Sequence, residues 1–321
     1  MSIHLFSKKE IQEKEVLIDT TVQEKNITYP TDVKSQKKII EKCRKIAKKE
    51  KVQLRQTFRR ELKQLMINQR FHNHPKRKKK ALAAARRIKV IAGKIYRDLN
   101  RKLTGHQREE YNELFEIFNQ VLTQEKYSKN KIYSIHQPHV KCIAKGKDAK
   151  KYEYGNKSSF VKTKKSGIIV GALAFTENIY DGDTLEPQLN QTEKLTDKMP
   201  KYGIVDRGYR GRKIINGVKI IIPKKLSSIA TRYQIQKIRK QFRARAGIEP
   251  IIGHLKQDHR MNRNYLLEED GDKINTILAA VGFNLRKMLQ RLRAEAELFY
   301  LKIWNTIFPK ENELELVYLK K

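Results

Sequence analysis

The sequence predicts an α/β protein in which a helical block interrupts the sheet after its first strand. Two changes of periodicity and one of composition indicate this architecture. Residues 15–22 are rich in apolar and β-branched side chains, as in a short buried strand. Apolar residues then recur every three or four positions from Val33 to about Tyr127, which is typical of amphipathic helices. From Lys131 they alternate, which is typical of strands.

Each later element has its own signal. Pro30 and Asp32 indicate a turn and a helix start after the first strand. Alternation predicts strands at residues 132–138, 141–144, 154–161, 168–175, 202–206 and 218–223. Helical spacing predicts helices at residues 184–195, 228–246, a stretch after Pro250, and 272–304. We therefore divide the chain into the first strand of the core (1–32), a basic helical insertion (33–128), the remainder of the core (129–266) and C-terminal helices that pack on it (267–321).

The charge of the chain favours a polyanionic partner. Lys and Arg number 71 against 35 Asp and Glu in 321 residues, a formal net charge of +36. Such a surplus is typical of proteins that bind nucleic acid. A solvated helix surface is the alternative explanation for the basic faces, and the run Lys76–Lys80 fits either a loop or a clamp on a DNA backbone. A hydrophobic content of 39% is enough for a core and excludes a wholly disordered chain.

The compartment is predicted from what the sequence lacks. No run approaches the 18 apolar residues of a membrane span, and the N-terminal segment has no apolar region of a secretory signal. Cys43 and Cys142 lie far apart without zinc-ligand spacing, so we expect free thiols in a reducing compartment. The sequence therefore predicts a soluble, cytoplasmic protein with no membrane partner.

Three carboxylates stand apart from the many that lie among lysines. Asp19 and Asp206 each end an apolar run that predicts a strand, and the ends of the strands in an open α/β sheet are where reactive groups gather. Glu249 follows Arg245 by four residues and precedes Lys256 by seven. On a helix, these three side chains share one face.

Such carboxylates in a basic chain suit divalent-metal chemistry on phosphates. Mg²⁺ prefers hard oxygen ligands, and two ions about 4 Å apart can activate an attacking oxygen and stabilise a leaving one. Each residue also has a structural explanation: Asp19 and Asp206 as helix caps or turn formers, and Glu249 as the ion-pair partner of Arg245. Composition and spacing alone therefore leave a metal-dependent nuclease or strand transferase as one possibility.

Three ordered blocks of the chain resemble the DDE transposases of bacterial insertion sequences, in the group named after insertion sequence five. The blocks are residues 18–32, residues 205–211, and residues 245–256 with their continuation to Leu266. The segments Tyr154–Lys157 and Tyr180–Leu185 also look like this group. The resemblance therefore covers nearly the whole chain.

The resemblance implies a ribonuclease H-like fold: a mixed sheet flanked by helices, with a mainly helical insertion after the first strand. It implies that Asp19, Asp206 and Glu249 hold two Mg²⁺ (or Mn²⁺) ions. The implied reaction is nicking by water at the element ends, followed by attack of the freed 3′-hydroxyl on target DNA, without a covalent enzyme–DNA intermediate.

The same resemblance implies the contacts of the chain. Arg245 and Lys256 are expected to contact DNA or order the site, and Tyr209 and Arg210 to help position the strand. The implied partners are double-stranded DNA, as terminal repeats and target, and further copies of the chain on that DNA. The implied location is the bacterial cytoplasm, in association with the nucleoid.

The chain departs from this group at three places. Phe242 stands where the third block often has Tyr, so no hydroxyl is available there. Pro250 disfavours helical geometry at Glu249, which predicts a helix start or kink. Only 18 residues precede Asp19, whereas relatives usually carry a substantial segment for end recognition, so we expect a short or truncated N-terminal region. A catalytically inactive remnant that binds DNA as a regulator is therefore the alternative function. An RNA-binding protein is a weaker one, because basic and aromatic residues are not interleaved.

Two further patterns have structural interpretations. Asp181 and Asp183 flank Gly182 as metal ligands could, but we interpret them as a turn before a helix, with Asp183 or Thr184 as its N-cap. An apolar stripe from Ile274 to Leu292 is expected to pack in the core rather than to form a dimer seam.

Overall fold

A computed structural model of the chain describes residues 2–144, 151–223 and 231–308. Residues 228–230 of the helix predicted at 228–246, and residues 309–321 of the predicted C-terminal division, lie outside the described residues. The strands described are β1 (Glu15–Glu24), β2 (Lys141–Ala144), β3 (Tyr152–Thr163), β4 (Ile169–Phe175), β5 (Tyr202–Ile204), β6 (Ile214–Ile215) and β7 (Val218–Ile221). The α-helices described are α1 (Lys8–Ile11), α2 (Asp32–Lys49), α3 (Arg59–Gln69), α4 (Lys78–Lys102), α5 (Gly105–Glu110), α6 (Asn112–Thr123), α7 (Leu185–Thr196), α8 (Arg232–Ala246), α9 (Glu249–Gln257) and α10 (Glu268–Ile307).

The strands form one mixed sheet in the order β2-β3-β1-β5-β7-β6, with β4 beside β3. Strand β1 pairs antiparallel with β3 and parallel with β5, and β7 continues the parallel side. Strands β2 and β4 share the other edge of β3. Helices cover both faces of this sheet. The predicted fold class is thus confirmed, and the strand arrangement is consistent with a ribonuclease H-like fold.

The two faces of the sheet are packed by different helices. Leu189 of α7 lies in one apolar cluster with Ile18 of β1 and Val161 of β3. Leu255 of α9 lies in a second cluster with Phe160 of β3. Phe160 and Val161, which are adjacent in β3, thus lie on opposite faces of the sheet, as the period of two in a strand requires.

Five helices, α2 to α6, lie between β1 and β2 and have a core of their own. Long apolar side chains at helical spacing fill it, including Ile39, Ile88, Leu99 and Phe118, each fully buried. The outer faces carry the basic residues. None of the helices in the described residues has the length and apolar character needed to span a bilayer.

The strand predicted at residues 132–138 is absent from the structure, which has turns there. Ile132 and Ile135 are instead buried in the core of the helical insertion. The amide of Ile132 donates to the Gln124 side chain, so α6 and this segment are tied together without a strand partner. The alternation of apolar residues therefore reflects packing beneath helices rather than a pleated strand.

The C-terminal stripe packs in the core only in part. Ala279, Ala280 and Asn284 of α10 are buried against β4, and Asn284 bonds the backbone of Ile169 in both directions. The larger apolar residues of the stripe are mostly exposed by 40% or more: Ile274, Ile277, Leu278, Leu285, Leu289 and Leu292. The prediction of core packing is wrong for these residues, because small side chains give the close contact with the sheet.

Candidate active site

Asp19 in β1 and Asp206, two residues after the end of β5, lie side by side on neighbouring segments of the sheet. Leu17 pairs with Ile204 in the parallel register, and each aspartate is two residues further on. Side chains two residues apart on a strand point to the same face, and neighbouring strands are about 4.8 Å apart. The register therefore brings the two carboxylates to one point of the sheet.

The expectation that Asp19 ends its strand is wrong in one respect. Strand β1 continues to Glu24, because β3 pairs with it over that whole length. The strand that stops is β5, whose pairing with β1 ends at Leu17 and Ile204. Asp19 thus lies where the parallel neighbour of β1 has ended.

Arg245 and Glu249, two further predicted site residues, lie on either side of a break between α8 and α9. Glu249 is the first residue of α9, as the following proline predicts, since Pro250 occupies the first turn where its missing amide hydrogen disrupts no helical bond. The break packs on the sheet through Ile248, which clusters with Leu17 and Ile204. Lys162 of β3 donates a hydrogen bond to the Gly247 carbonyl at 2.8 Å, which fixes the break above β1.

Arg245 lies between the three carboxylates. Its Nη2 atom is 3.9 Å from Oδ2 of Asp19 and 3.8 Å from Oδ2 of Asp206. Its Nη1 atom is 2.5 Å from Oε1 of Glu249. The structure therefore brings together four predicted site residues from three separate parts of the chain.

The electrostatics of this cluster disfavour the ionised form of Asp19. Burial and then the nearby charge of Asp206 raise the pKa of Asp19 from 3.8 to about 6, although Arg245 opposes the shift. Asp19 is the more enclosed of the two aspartates, with a side chain 14% exposed against 36% for Asp206.

Asp206 is oriented by the turn that follows it. Its Oδ1 atom accepts a hydrogen bond from the amide of Gly208 at 2.7 Å, which caps a short 3₁₀ turn at residues 207–209. A Cβ atom on Gly208 would lie 2.9 Å from Oδ1 of Asp206 and 3.2 Å from Oδ2 of Asp181. The glycine therefore permits the close approach of a fourth carboxylate.

That fourth carboxylate is Asp181, which the sequence offered as a possible metal ligand but for which we favoured a turn. Its Oδ1 atom accepts hydrogen bonds from Nζ of Lys157 at 2.8 Å and from the hydroxyl of Thr20 at 2.9 Å. Both Lys157 and Asp181 fall in the flanking segments that resemble the transposases. The resemblance of both segments to the transposases was a signal that Lys157 and Asp181 could lie close together. Interpretation of Asp181 as part of a local turn did not use that signal.

The predicted turn before α7 is confirmed as a 3₁₀ turn at Asp181–Thr184, and Thr184 occupies the N-cap position of α7. The Thr184 hydroxyl makes no capping bond to α7 and donates instead to the Asp181 carbonyl at 2.6 Å. Asp183 forms an exposed ion pair with Arg212 at 2.5 Å. Asp181 and Asp183, two residues apart, thus have different surroundings.

A family model of the transposase DDE domain matches residues 134–285. The matched segment contains Asp181, Asp206, Arg245 and Glu249, while Asp19 lies before it. No curated protein and no solved structure matched the chain. The match supports a transposase, a class of DNA nucleotidyl transferase, and therefore DNA as the partner.

The remaining residues expected to contact DNA differ in accessibility. Tyr209 is 1% exposed, and burial, followed by the charge of Asp19, raises its pKa well above the usual range. Its ring therefore supports the site from beneath and has no surface for a direct DNA contact. Arg210 is exposed, and its carbonyl accepts a hydrogen bond from Tyr180 at 2.9 Å. Lys256 is half-buried on α9, two turns after Glu249.

The donor set suits a hard divalent cation, although the side chains are not arranged around one. In residues 2–144, 151–223 and 231–308, no group of three or more His, Cys, Asp or Glu side chains surrounds a metal position. The carboxylates of Asp19, Asp206 and Glu249 converge on a guanidinium instead. Their chemistry fits Mg²⁺ or Mn²⁺, because these ions take carboxylate oxygens.

Proposed function

We propose that this chain is a DDE-type DNA transposase that cleaves and joins DNA strands at insertion-sequence ends. Asp19, Asp206 and Glu249 are its catalytic carboxylates in this proposal. The observation that carries it is their convergence on Arg245 at distances of 3.9, 3.8 and 2.5 Å. The match of residues 134–285 to a transposase DDE domain supports the same reaction class.

In this proposal Asp19, Asp206 and Glu249 hold two Mg²⁺ or Mn²⁺ ions. Bound divalent ions would activate the attacking oxygen and stabilise the leaving one during in-line displacement at phosphorus. Water then breaks a phosphodiester bond and leaves a 3′-hydroxyl, and that hydroxyl breaks a target phosphodiester bond by forming a new one. Ionised Asp19 is favoured by added positive charge, since burial and Asp206 otherwise raise its pKa.

Arg245 has two roles in this scheme. In the free protein its guanidinium partly neutralises the three carboxylates. Within the described residues its Nε atom is buried without a hydrogen-bond acceptor, so the present contacts do not use its full donor capacity. We propose that Arg245 turns to a DNA phosphate when the site is loaded, because guanidinium groups bind phosphate oxygens in a bidentate manner.

The remaining contacts follow from exposure. Arg210 and Lys256 would contact the DNA backbone, and Tyr209 would position Asp19 by packing beneath it. The basic helical insertion would extend the contact along double-stranded DNA, consistent with the net charge of +36. The protein would act as a homo-oligomer on terminal repeats and target DNA, in the bacterial cytoplasm with the nucleoid.

The test is cleavage of an end-labelled duplex that carries the genomic sequence flanking the gene, with Mg²⁺, Mn²⁺ or EDTA. Asp206→Asn removes one catalytic carboxylate and is expected to abolish nicking while duplex binding persists. Asp183→Asn is the matched control, since Asp183 is an exposed acid paired with Arg212. Metal-dependent nicks with 3′-hydroxyl ends, lost only in Asp206→Asn, would support the proposal. Cleavage by Asp206→Asn at the wild-type rate would overturn the site, and binding without any wild-type cleavage would overturn the activity.

A further inference from the structure

The second half of α10 extends away from the rest of the protein. Arg291 is the last residue of the helix with an ion pair to the body, at 2.6 Å from Glu10, within the part of the chain that the structure describes. Every residue from Leu292 to Phe308 is exposed. About four and a half helical turns therefore stand in solvent.

This exposed helix carries an apolar seam with heptad spacing. The seam residues follow one another at intervals of four, three, four, three and four: Leu285, Leu289, Leu292, Ala296, Phe299 and Ile303. The five larger side chains among them are 40–61% exposed. Three heptads of alternating four- and three-residue spacing are the pattern of a coiled coil.

Within residues 2–144, 151–223 and 231–308, the large seam side chains are exposed and have no packing partner from another element. Isolated helices of this length are marginal in water, and their stability in proteins comes from packing of the apolar face. A continuous exposed apolar seam also marks an interaction site rather than ordinary surface. The seam therefore calls for a second helix with complementary side chains and charges.

A second copy of the same helix, running antiparallel, provides that complement. Ala296 then lies opposite Phe299 of the second copy, so the smallest seam residue contacts the largest. The two-fold axis generates the same contact a second time, between Phe299 of the first copy and Ala296 of the second. Leu292 then lies opposite Ile303. A parallel pair would place Ala296 against Ala296 and Phe299 against Phe299, which leaves a void beside a crowded layer.

The flanking charges favour the same register. In the antiparallel pair, Glu295 lies beside Lys302 of the second copy, and the symmetry gives this ion pair twice. Arg293 lies beside Tyr300 of the second copy, also twice, in position for cation–π contact. A parallel pair would set Glu295 beside Tyr300 and would make neither contact.

We propose that residues 289–306 of α10 pair with the same residues of a second copy as an antiparallel two-stranded coiled coil. The axis lies midway between residues 297 and 298. The two Arg291 side chains are then about 20 Å apart along the helix axis, from 13 residues at 1.5 Å each. The two protein bodies consequently lie at opposite ends of the paired helices.

The test is the molar mass of the full-length protein, measured by light scattering after size exclusion at high salt without DNA. The wild type is expected at twice 37.8 kDa. Leu292→Lys and Phe299→Lys are expected at once that mass. Leu298→Lys and Leu301→Lys are the matched controls, since these leucines are 59% and 43% exposed on the same helix but off the seam. A monomeric wild type, or equal effects on and off the seam, would overturn the proposal.

A charge exchange tests the direction of pairing. Glu295→Lys places two lysines at each flanking pair and is expected to weaken dimerisation at least tenfold at low salt. Adding Lys302→Glu restores opposite charges and is expected to restore the dimer. If Glu295→Lys leaves the dissociation constant unchanged, the antiparallel register is wrong. Circular dichroism of each variant checks that α10 remains helical, which the exposure of these positions leads us to expect.

Discussion

Nζ of Lys25 lies 2.5 Å from Oδ1 of Asp272, and both side chains are only 2% exposed. The ion pair joins the residue after β1 to the first part of α10. Asp272 also accepts a hydrogen bond from Asn264 at 2.5 Å, and Nε2 of His139 lies 3.0 Å from its second oxygen. Three segments distant in sequence therefore meet on one buried carboxylate.

Removal of this carboxylate is expected to destabilise the fold strongly. Asp272→Ala leaves the Lys25 ammonium buried without its counter-charge, which costs about 3–5 kcal/mol in the free energy of unfolding. Urea denaturation followed by circular dichroism measures the loss. Asp270→Ala is the control, because Asp270 is 83% exposed in its pair with Lys273, and little change is expected. Equal stability of the two variants would contradict the inference.

Asp19→Asn is expected to stabilise the protein at alkaline pH. The folded-state pKa of about 6 exceeds the unfolded value of 3.8, so ionised Asp19 favours unfolding. The cost is complete above pH 6, at up to about 3 kcal/mol, and disappears as pH falls below about 4. The amide keeps the oxygen that accepts from Thr20.

Urea denaturation in EDTA at pH 8 and pH 4 measures this difference against the wild type. The variant is expected to be more stable at pH 8 and equal at pH 4. The exposed Asp183→Asn serves as the control and is expected to show no such pH dependence. If Asp19→Asn is no more stable than the wild type at pH 8, then ionised Asp19 does not destabilise the folded protein, and the prediction is wrong.

Asp181→Asn is expected to slow strand cleavage by about 10- to 100-fold, the usual effect of a group that orients a metal ligand. Asp181 approaches Asp206 across Gly208 and is held by Lys157 and Thr20. The half-saturating Mg²⁺ concentration should rise, a readout that a general loss of stability would not move. Asp183→Asn should keep the wild-type metal dependence. An unchanged Mg²⁺ requirement in Asp181→Asn would exclude this positioning role.

The basic N-terminus of α4 is expected to bind DNA. Lys78, Lys79 and Lys80 open this helix and are exposed, with no acidic residue in the first turn. Cations are unfavourable at the positive end of a helix, so a phosphate partner would relieve the arrangement. Replacing all three by Ala should reduce the magnitude of the negative slope of log K against log salt by about 2.7.

Fluorescence anisotropy with a labelled duplex at several salt concentrations gives this slope. The triple Ala variant of Lys8, Lys9 and Lys14 removes the same charge from exposed positions of the N-terminal segment. It should change the slope less. Equal losses in both variants would indicate diffuse attraction by the net charge, without a local contact at α4.

The sequence predicted the central part of the candidate site because that part depends on regular structure. The apolar runs before Asp19 and Asp206 placed both aspartates after apolar strand residues, and the parallel pairing of β1 with β5 aligns them. The four-residue spacing of Arg245 and Glu249 survives the break between α8 and α9, since their side chains still meet at 2.5 Å.

The parts that the sequence mispredicted depend on tertiary contacts. Residues 132–138 alternate as a strand does, but the helical insertion offers a closer apolar surface for Ile132 and Ile135. The turn at Asp181 was predicted, but the contact of Asp181 with Lys157 was not, because it joins residues 24 apart. The stripe of α10 looked like core, because periodicity does not reveal which neighbour will cover it.

The Lys25–Asp272 pair also bears on when the protein can become functional. Its two members are separated by 247 residues, and β1 has its sheet partners far downstream. At 5–20 residues per second, a ribosome needs about 12–50 s to travel that distance. Asp206 and Glu249 are made 187 and 230 residues after Asp19, so the three carboxylates cannot meet until most of the chain has been synthesised. Assembly of the site therefore falls at the end of translation, and an interrupted nascent chain would carry the first aspartate without the means to cut DNA.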